Sequence, residues 1–247
     1  MENNFGLVGK KLGHSFSKKY FEQKFKEEGL NDHKFNLYEM EELSKVKSII
    51  REEHLKGLSI TIPYKLEIMK YCDYLSEDVK EIGAVNCINI EKDGSLAGHN
   101  TDWLGFRESL QIEKLNLNKK ALVCGTGGAS RAIVYALKAL GIEIIQASTS
   151  GRQGLLAYED IDSEIINSFQ LIINCTHLGT FPLVDDCIRL PYEYINENHY
   201  CYDLVYNPEE TMFLNKSKAQ GAYVQNGYSM LVHQAERRGR YGTRSNE

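Results

Sequence analysis

The sequence lacks the signals of several protein classes. It has no apolar run near the roughly 18 residues that a membrane-spanning helix needs, and its first residues, MENNFGLVG, lack the basic and apolar segments of a secretory signal. The six cysteines include no CxxC pair, and the seven histidines show no HExxH or other ligand spacing. These absences predict a cytoplasmic protein with reduced cysteines, without a membrane segment and without a metal site.

The composition is typical of a soluble globular protein. The 247 residues suffice for one large or two ordinary domains, and 42% of them are hydrophobic and 26% charged. The net charge of -5 argues against nonspecific nucleic-acid binding, because such binding requires lysine and arginine to neutralise phosphates. We therefore expect the partners to be small molecules, with no nucleic acid and no membrane among them.

A strand, a glycine turn and a helix occur together in residues 121–140, ALVCGTGGASRAIVYALKAL. The apolar run before the turn predicts a buried parallel strand, and the apolar residues at helical spacing after it predict a helix that ends at Gly141. In a dinucleotide site, Gly125 would allow the tight turn, Gly127 would let the main chain approach a pyrophosphate, and the N–H groups at the helix start would bind its charge. Ser130 stands where this pattern normally has Gly or Ala. An ordinary strand-to-helix turn is the alternative, but the elements on both sides favour a cofactor site.

Strands and helices alternate through the second half of the chain, which predicts a parallel sheet with helices on both faces. A dinucleotide-binding half of this kind normally carries an acidic residue about 20 residues beyond the first glycine, where it binds the ribose 2′-hydroxyl of NAD. The corresponding segment, Gln146–Ser150, contains no acidic residue. Ser148, Thr149, Ser150 and Arg152 could instead donate to a 2′-phosphate, which favours NADP.

Polar residues in the first half of the chain lie next to short strands and helices, and each has an ordinary structural alternative. Ser15 and Ser17 precede a helix that one of them is expected to cap, yet paired hydroxyls also suit a hydroxylated or carboxylated ligand, and the residues alone do not decide between the two. Lys65 comes just after Thr61 and the alternating strand Leu58–Ile62. A solvated surface charge is the alternative for Lys65, but open α/β sheets bind ligands at this edge.

A predicted hairpin at residues 83–98 is bordered by further candidates. Asn86 lies in an apolar segment, where its amide needs either main-chain or ligand partners. Asp102 ends the segment Asn100-Thr101-Asp102, which could simply cap the following helix. If Asp102 faced Lys65, the two groups could share and relay a proton. Gln234 lies in the last predicted helix, with solvation as its alternative role.

Eight segments together resemble the shikimate dehydrogenase family, whose members use NADP to reduce 3-dehydroshikimate to shikimate. In chain order they are HSFSKKYF, SITIPYK, GAVNCI, HNTDWLGF, GTGGASRA, INCTHLGT, YDLVYNPEET and NGYSMLVHQA, within residues 14–235. The resemblance implies two α/β domains with a cleft between them. The substrate-binding catalytic domain would comprise residues 1–102 plus 225–247, and the NADP-binding Rossmann-like domain would comprise residues 103–224.

The resemblance also implies roles for individual residues. Lys65 and Asp102 would form the catalytic pair: a positive Lys65 stabilises charge on the ketone oxygen and supplies a proton, while Asp102 orients Lys65 and keeps it charged. The expected substrate-binding residues are Ser15 and Ser17 at the carboxylate, Thr61, Asn86, Asn100, Asp102 and Gln234 at the hydroxyls, and Tyr206 nearby. The expected cofactor-binding residues are Gly125, Thr126, Gly127, Gly128, Ala129, Ser130 and Arg131 at the pyrophosphate, Ser148, Thr149 and Arg152 at the 2′-phosphate, and Thr176 and Gly227 beside the nicotinamide.

The sequence departs from the family pattern at several positions. Thr149 stands where the family usually has an arginine that clamps the 2′-phosphate, although Arg152 could compensate. Thr180 replaces a common methionine, and Lys18 replaces a common proline. Residues 237–247 are basic, contain glycine and lack an apolar face, which predicts a disordered tail.

Two other functions are compatible with the same scaffold. An NAD-dependent quinate or shikimate dehydrogenase would be distinguished by the loop at residues 148–152 and by its substrate range. A nucleotide-binding regulator without catalysis is disfavoured, because Lys65 and Asp102 are both present. Either a monomer or a homodimer is compatible with the sequence.

Overall fold

The computed structural model describes residues 2–13, 15–115, 120–152 and 154–243. Main-chain contacts divide the chain into two compact units, of which the first contains residues 1–101 and 234–247 and the second contains residues 102–233. The boundaries expected from the sequence differ from this division at Asp102 and at residues 225–233. Within the described ranges, none of the helices combines the length and the apolar character that crossing a membrane requires.

The first unit is built on a six-stranded mixed sheet with the strand order β2-β1-β3-β5-β6-β4. Its elements are β1 (Asn3–Gly9), α1 (Phe16–Glu27), β2 (His33–Glu39), α2 (Val46–Glu52), β3 (Leu55–Ile60), β4 (Tyr74–Leu75), α3 (Glu77–Ile82), β5 (Cys87–Ile90) and β6 (Leu96–His99). β1 pairs in parallel with β2 and β3, whereas β5 is antiparallel to both β3 and β6. The predicted hairpin is thus confirmed as β5 and β6.

Apolar side chains cover both faces of this first sheet. Because successive residues of a strand point to opposite faces, the neighbours Leu7 and Val8 of β1 belong to different clusters. Leu7 lies in one cluster with Phe21 of α1 and Ala235. Phe21 also stacks on Phe35 of β2, with the ring centroids 4.5 Å apart. This aromatic packing fixes α1 on the sheet and thereby holds the loop that precedes α1.

The second unit contains a six-stranded sheet with the order β12-β11-β10-β7-β8-β9. Its elements are α4 (Asp102–Ser109), β7 (Lys120–Cys124), α5 (Gly128–Ala139), β8 (Glu143–Ser148), β9 (Leu156–Ala157), α6 (Ser163–Ser168), β10 (Leu171–Asn174), β11 (Tyr200–Asp203), α7 (Met212–Ala219) and β12 (Tyr223–Gln225). All strand pairs of this sheet are parallel, as the sequence predicted. A last helix, α8 (Tyr228–Thr243), begins in the second unit, and its residues from Gln234 onward belong to the first.

Helices cover both faces of the parallel sheet, which confirms the predicted layering. Val123 of β7 packs in one cluster with Ile133 of α5, and the adjacent Leu122 packs in another with Phe213 of α7. Strands that are buried on both faces must be apolar along their whole length, which explains the continuous apolar run of β7. Gly141, two residues beyond the end of α5, adopts a positive φ of 69° and stops that helix, as expected.

Two predicted segment ends are wrong. The strand expected to reach residue 62 ends at Ile60, because the chain turns there: the N–H of Tyr64 donates to the carbonyl of Thr61 at 2.9 Å. The segment expected to be disordered from Arg237 continues α8 as far as Thr243. Extending an existing helix fixes only one residue at a time, and arginine has good helix propensity. Residues 244–247 of the predicted tail lie outside the described ranges.

Gly227 provides a test of the packing at the start of α8. A Cβ at this position would overlap the carbonyl oxygen of Leu204, a main-chain atom that cannot rotate away. Gly227→Ala should therefore lower the free energy of unfolding by about 2 kcal/mol or more. The control is Gly13→Ala, because a Cβ there meets no atom within 4 Å, and its effect should stay within about 0.5 kcal/mol. Urea unfolding measures both variants, and equal stabilities would contradict this packing.

Candidate functional site

The winding of the second sheet reverses between β7 and β10. From β7 the chain proceeds outward to β8 and β9, and it then returns to β10 on the other side of β7. Loops that leave neighbouring strands at such a reversal depart to opposite faces, and open α/β sheets bind their ligands there. Gly125 directly follows β7, and Thr176 lies two residues beyond the end of β10. Two of the predicted cofactor residues are thus neighbours at this position.

Gly125 makes the tight turn that the sequence predicted. Its φ is +111°, in a region that other residues rarely adopt. A Cβ on Gly125 would lie 3.1 Å from Cγ2 of Thr176 and 3.3 Å from the main-chain carbonyl carbon of Cys175. Both the backbone conformation and the close approach of the neighbouring loop therefore require glycine here.

The start of α5 presents unpaired main-chain donors. The N-cap residue is Gly127, which has no side chain to accept a hydrogen bond from the helix start. The first N–H groups of a helix also have no acceptors within the helix. A Cβ added to Gly127 would meet no atom within 4 Å, so there is open space beside these donors. Thr126 and Arg131 are exposed in the same segment. This arrangement of N–H groups and positive charge can hold an anionic group such as a pyrophosphate.

The side chain of Ser130 supports the turn from within the protein. Its buried hydroxyl donates to the Gly125 carbonyl at 2.7 Å and accepts from the Gln146 amide at 2.9 Å. The Ser130 hydroxyl is therefore occupied by the protein, and the main-chain N–H is the group of Ser130 that a ligand can use. The sequence did not predict this supporting role of Gln146, which lies in the segment where only the absence of an acidic residue was noted. The available signal was a polar residue in a strand next to β7.

The loop after β8 collects hydroxyl groups and one cation. The Gly151 N–H donates to the Ser148 hydroxyl at 3.2 Å, and the hydroxyls of Ser148 and Ser150 are 3.5 Å apart. Thr149 and Arg152 are exposed. Residues 146–152 include no carboxylate that would repel a phosphate. These donors fit a 2′-phosphate better than a ribose 2′-hydroxyl, which dinucleotide sites usually bind through an acidic side chain.

A buried carboxylate lies beneath the β10 and β11 loops. Asp203 Oδ1 accepts from the Asn174 amide and from the Val205 N–H, each at 2.9 Å, and Oδ2 accepts from the Thr211 hydroxyl at 2.6 Å. The Asn174 oxygen in turn accepts the N–H of Thr176 at 3.0 Å and its hydroxyl at 2.7 Å. Asp203 was not among the predicted site residues, although its place at the end of a parallel strand offered a signal.

The first unit has a comparable reversal between β1 and β3. The chain passes from β1 to β2 and then to β3 on the other side of β1. Gly9 ends β1 and Thr61 follows β3, and a Cβ on Gly9 would lie 2.6 Å from Cγ2 of Thr61. The predicted substrate residue Thr61 is therefore at the edge of the sheet where ligands bind in this type of fold.

Two buried asparagines lie at the same edge, because β5 begins and β6 ends beside the carboxyl end of β3. The Asn86 amide donates to the Thr101 hydroxyl at 3.1 Å, and its oxygen accepts the Thr101 N–H at 2.8 Å. The Asn100 amide donates to the Ala84 carbonyl at 2.9 Å. Structural partners, the alternative considered for Asn86, are thus present. Thr101, which is fully buried, holds Asn86 in place and was missed as its partner.

Ser15 and Lys65 have well-defined main-chain surroundings. Ser15 is the N-cap of α1, where its hydroxyl accepts the Ser17 N–H at 3.2 Å. Capping therefore accounts for Ser15 but not for the hydroxyl of Ser17, which lies within the first turn. Lys65 is half-buried in the turn after Thr61, and its carbonyl accepts the Val85 N–H at 2.7 Å. This bond attaches the Lys65 turn to the segment before Asn86.

The remaining predicted residues lie in one unit or the other. Asp102 is buried at the first position of α4, Tyr206 is half-buried after β11, and Gly227 precedes α8, all in the second unit. Gln234 is buried in the part of α8 that belongs to the first unit. Their functional roles stay predictions. All six cysteines are free, and the described part of the chain contains no cluster of His, Cys, Asp or Glu that could hold a metal ion.

The fold and the glycine turn define a two-unit α/β protein with a Rossmann-like nucleotide-binding half, and comparison with known proteins identifies the family. The family model "Shikimate dehydrogenase substrate binding domain" matches residues 7–88. The chain is 37% identical over 244 residues to the shikimate dehydrogenase (NADP(+)) of Clostridium beijerinckii, covering 94% of this chain and 88% of the relative. It is 36% identical over 248 residues to the shikimate dehydrogenase (NADP(+)) of Pelagibacter ubique, covering 96% of this chain and 92% of the relative. The chain belongs to the shikimate dehydrogenase family.

Solved structures agree with this assignment. The shikimate dehydrogenase of Aquifex aeolicus matches with a TM-score of 0.88 and 31% identity, covering 98% of this chain and 92% of that one. The shikimate dehydrogenase of Thermus thermophilus, in complex with NADP(H) and shikimate, matches with a TM-score of 0.86 and 30% identity. The match covers 98% of this chain and 93% of that one. The expected fold class, two α/β domains of which one is Rossmann-like, is thereby confirmed.

Asp203 predicts a specific pH dependence of stability. Burial raises the pKa of Asp203 from 3.8 to about 7, although its three hydrogen bonds oppose that rise. Between these pH values the native protein retains a proton that the unfolded chain has released, so the free energy of unfolding falls as the pH rises from about 4 to about 7. Asp203→Asn removes this titration. The stability of the wild type relative to the variant should drop across this window by on the order of 2–4 kcal/mol, measured by urea unfolding. A difference that is constant with pH would contradict the raised pKa.

Proposed function

We propose that the protein catalyses the reversible, NADP-dependent reduction of 3-dehydroshikimate to shikimate. The observation that carries this proposal is the identity of 37% over 94% of the chain with a shikimate dehydrogenase (NADP(+)), joined to a fold whose two sheet reversals bear the expected polar residues. The alternative, an NAD-dependent quinate or shikimate dehydrogenase, is not favoured by these relatives. A quinate dehydrogenase from Corynebacterium glutamicum shares 24% identity, which supports the fold alone.

The residues of the second unit fit NADP. The donors at the start of α5 and the open space beside Gly127 suit the pyrophosphate. The loop Ser148–Arg152 offers hydroxyls and a guanidinium without a carboxylate, which suits the 2′-phosphate. Thr176 is proposed to border the nicotinamide, because it follows β10 at the sheet reversal. When bound, the cofactor supplies or accepts the hydride.

The residues proposed to bind the substrate fit a polyhydroxylated carboxylic acid. Ser15 and Ser17 are proposed to bind the carboxylate. Thr61, Asn86 and Asn100, at one edge of the sheet, are proposed to bind the hydroxyls together with Asp102 and Gln234. A site of buried donors and acceptors rejects analogues that lack the matching hydroxyls, because its own polar groups would then be unpaired. Tyr206 is proposed to lie near the substrate.

The chemistry requires a group that stabilises negative charge on the ketone oxygen and then protonates it. Lys65 is proposed for that role, since an ammonium group can do both. Asp102 is proposed to orient the ammonium group of Lys65. In the reverse direction, Lys65 accepts the hydroxyl proton while the hydride leaves the substrate carbon.

Replacement of Lys65 tests this role. Lys65→Ala should lower kcat by about 100-fold or more with little change in the KM for shikimate, because the lost interactions form mainly in the transition state. Lys70→Ala is the control, because Lys70 is exposed and lies in the segment just after Lys65. Its ammonium group forms a salt bridge with Glu67 at 2.7 Å. Its kcat should change by less than about twofold. A large rise in KM at unchanged kcat for Lys65→Ala would show that Lys65 only binds substrate.

The loop after β8 gives a second prediction, on cofactor preference. Arg152→Ala should lower kcat/KM with NADP by about tenfold and leave kcat/KM with NAD nearly unchanged, because a charge-assisted hydrogen bond to the 2′-phosphate is lost. Thr149→Arg adds a second guanidinium and should raise the ratio of the two values. The measurement is initial-rate kinetics with each cofactor. If neither variant changes the NADP/NAD ratio, this loop does not contact the 2′-phosphate.

A further inference from the structure

Asp203 is a buried carboxylate whose hydrogen bonds connect several elements of the second unit. Its carboxylate accepts hydrogen bonds from residues at the ends of three different elements: Asn174 at the end of β10, Val205 after β11, and Thr211 at the N-cap of α7. An ionisable group that is fully removed from solvent is costly, and it is retained when its bonds fix a specific geometry.

The hydrogen bonds from Asp203 toward the surface have a fixed direction. The Leu178 N–H donates to the Thr176 hydroxyl at 3.2 Å, and that hydroxyl donates to the Asn174 oxygen at 2.7 Å. The Asn174 amide then donates to Asp203 at 2.9 Å. A carboxylate only accepts, so it requires the amide nitrogen of Asn174 to face it and the amide oxygen to face Thr176. The orientation of Thr176 is therefore set by a group that it does not touch.

We propose that Asp203 is a positioning residue for the nicotinamide end of the cofactor, acting through Asn174 on Thr176. The inference rests on the proposed function, because it takes the nicotinamide to lie beside Thr176. It is supported by the place of Thr176 at the sheet reversal and by the 3.1 Å that would separate its Cγ2 from a Cβ on Gly125 in the phosphate turn. Small displacements of a bound reactant lower the rate strongly, so the orientation of this side chain matters for hydride transfer.

Asp203 can perform this role in either protonation state. A proton on Oδ2 would donate to the Thr211 hydroxyl, while Oδ1 would still accept from Asn174 and Val205. Asparagine can reproduce that arrangement, with its oxygen in the place of Oδ1 and its amide nitrogen facing Thr211. Asp203→Asn is therefore the conservative variant, and Asp203→Ala removes the acceptor.

The test compares the two sides of the same carboxylate. Thr176→Val removes the hydroxyl that joins Asn174 to the cofactor side, and it should lower kcat by about tenfold or more. Thr211→Val removes the bond to Oδ2 and the cap of α7, so it should lower the Tm while kcat below that temperature stays within about twofold. Asp203→Ala should lower kcat as much as Thr176→Val does. The double variant should be no slower than the slower of the two single variants. The conservative variant Asp203→Asn should keep kcat within about threefold of the wild-type value.

Calorimetric binding gives a readout that does not depend on turnover. Thr176→Val and Asp203→Ala should weaken the binding of NADP several-fold. The same variants should leave the binding of adenosine 2′,5′-bisphosphate, which lacks the nicotinamide half, within about twofold. If the wild type binds NADP but does not oxidise shikimate, while this difference between the two ligands persists, then the proposed function fails and the positioning role stands.

Three outcomes would overturn the positioning role. The first is equal loss of kcat in Thr211→Val and Thr176→Val, which would make the network merely structural. The second is full additivity of Asp203→Ala and Thr176→Val in the double variant. The third is equal weakening of both ligands in the binding experiment. If Asp203→Ala does not fold, the first and third outcomes still decide, because Thr176→Val and Thr211→Val suffice for the comparison of kcat and Thr176→Val suffices for the binding experiment.

Discussion

Each sheet reverses its winding beside its first strand, and the rest of both units depends on that constraint. In the first unit Gly9 ends β1 next to Thr61, and in the second Gly125 follows β7 next to Thr176. A side chain larger than hydrogen on either glycine would meet the methyl group of the neighbouring threonine, at 2.6 Å and 3.1 Å respectively. In each unit, the two loops at the reversal can therefore leave their neighbouring strands side by side. Their polar groups remain available at that edge of the sheet.

Buried polar groups then keep these edges rigid. Thr101 holds Asn86 with two hydrogen bonds in the first unit, and Asp203 holds Asn174 in the second. Ser130 and Gln146 do the same for the turn at Gly125. None of these side chains needs to touch a ligand to matter, because an unpaired polar group in the interior would be costly and the loops above would lose their fixed positions. In each unit, the loops at this edge are thus supported by buried or half-buried polar side chains that lie behind them.

The sequence predicted the fold class and the main elements because their signals are local. The apolar run before Gly125 and the helical spacing after it gave β7 and α5, and alternation of elements gave the parallel sheet. The supporting residues were harder to predict. Asp203 acquires its partner Asn174 only when the distant strands β10 and β11 pair, and Thr101 acquires Asn86 only through the register of the β5–β6 hairpin. The C-terminal segment was misjudged because its residues lack an apolar face, whereas α8 continues there from an already formed helix. The reversal points themselves depend on strand order, which a single sequence does not display.

Every role proposed for these residues depends on the transfer of hydride between NADP and shikimate. The most direct measurement mixes the purified protein with shikimate and NADP and follows the absorbance of the reduced nicotinamide. Parallel samples contain NAD in place of NADP, or quinate in place of shikimate. We expect reduction of NADP by shikimate at a kcat/KM well above that of either substitution. A folded, NADP-binding protein that reduces the cofactor only with quinate, or does not reduce it at all, would show that the protein is not a shikimate dehydrogenase.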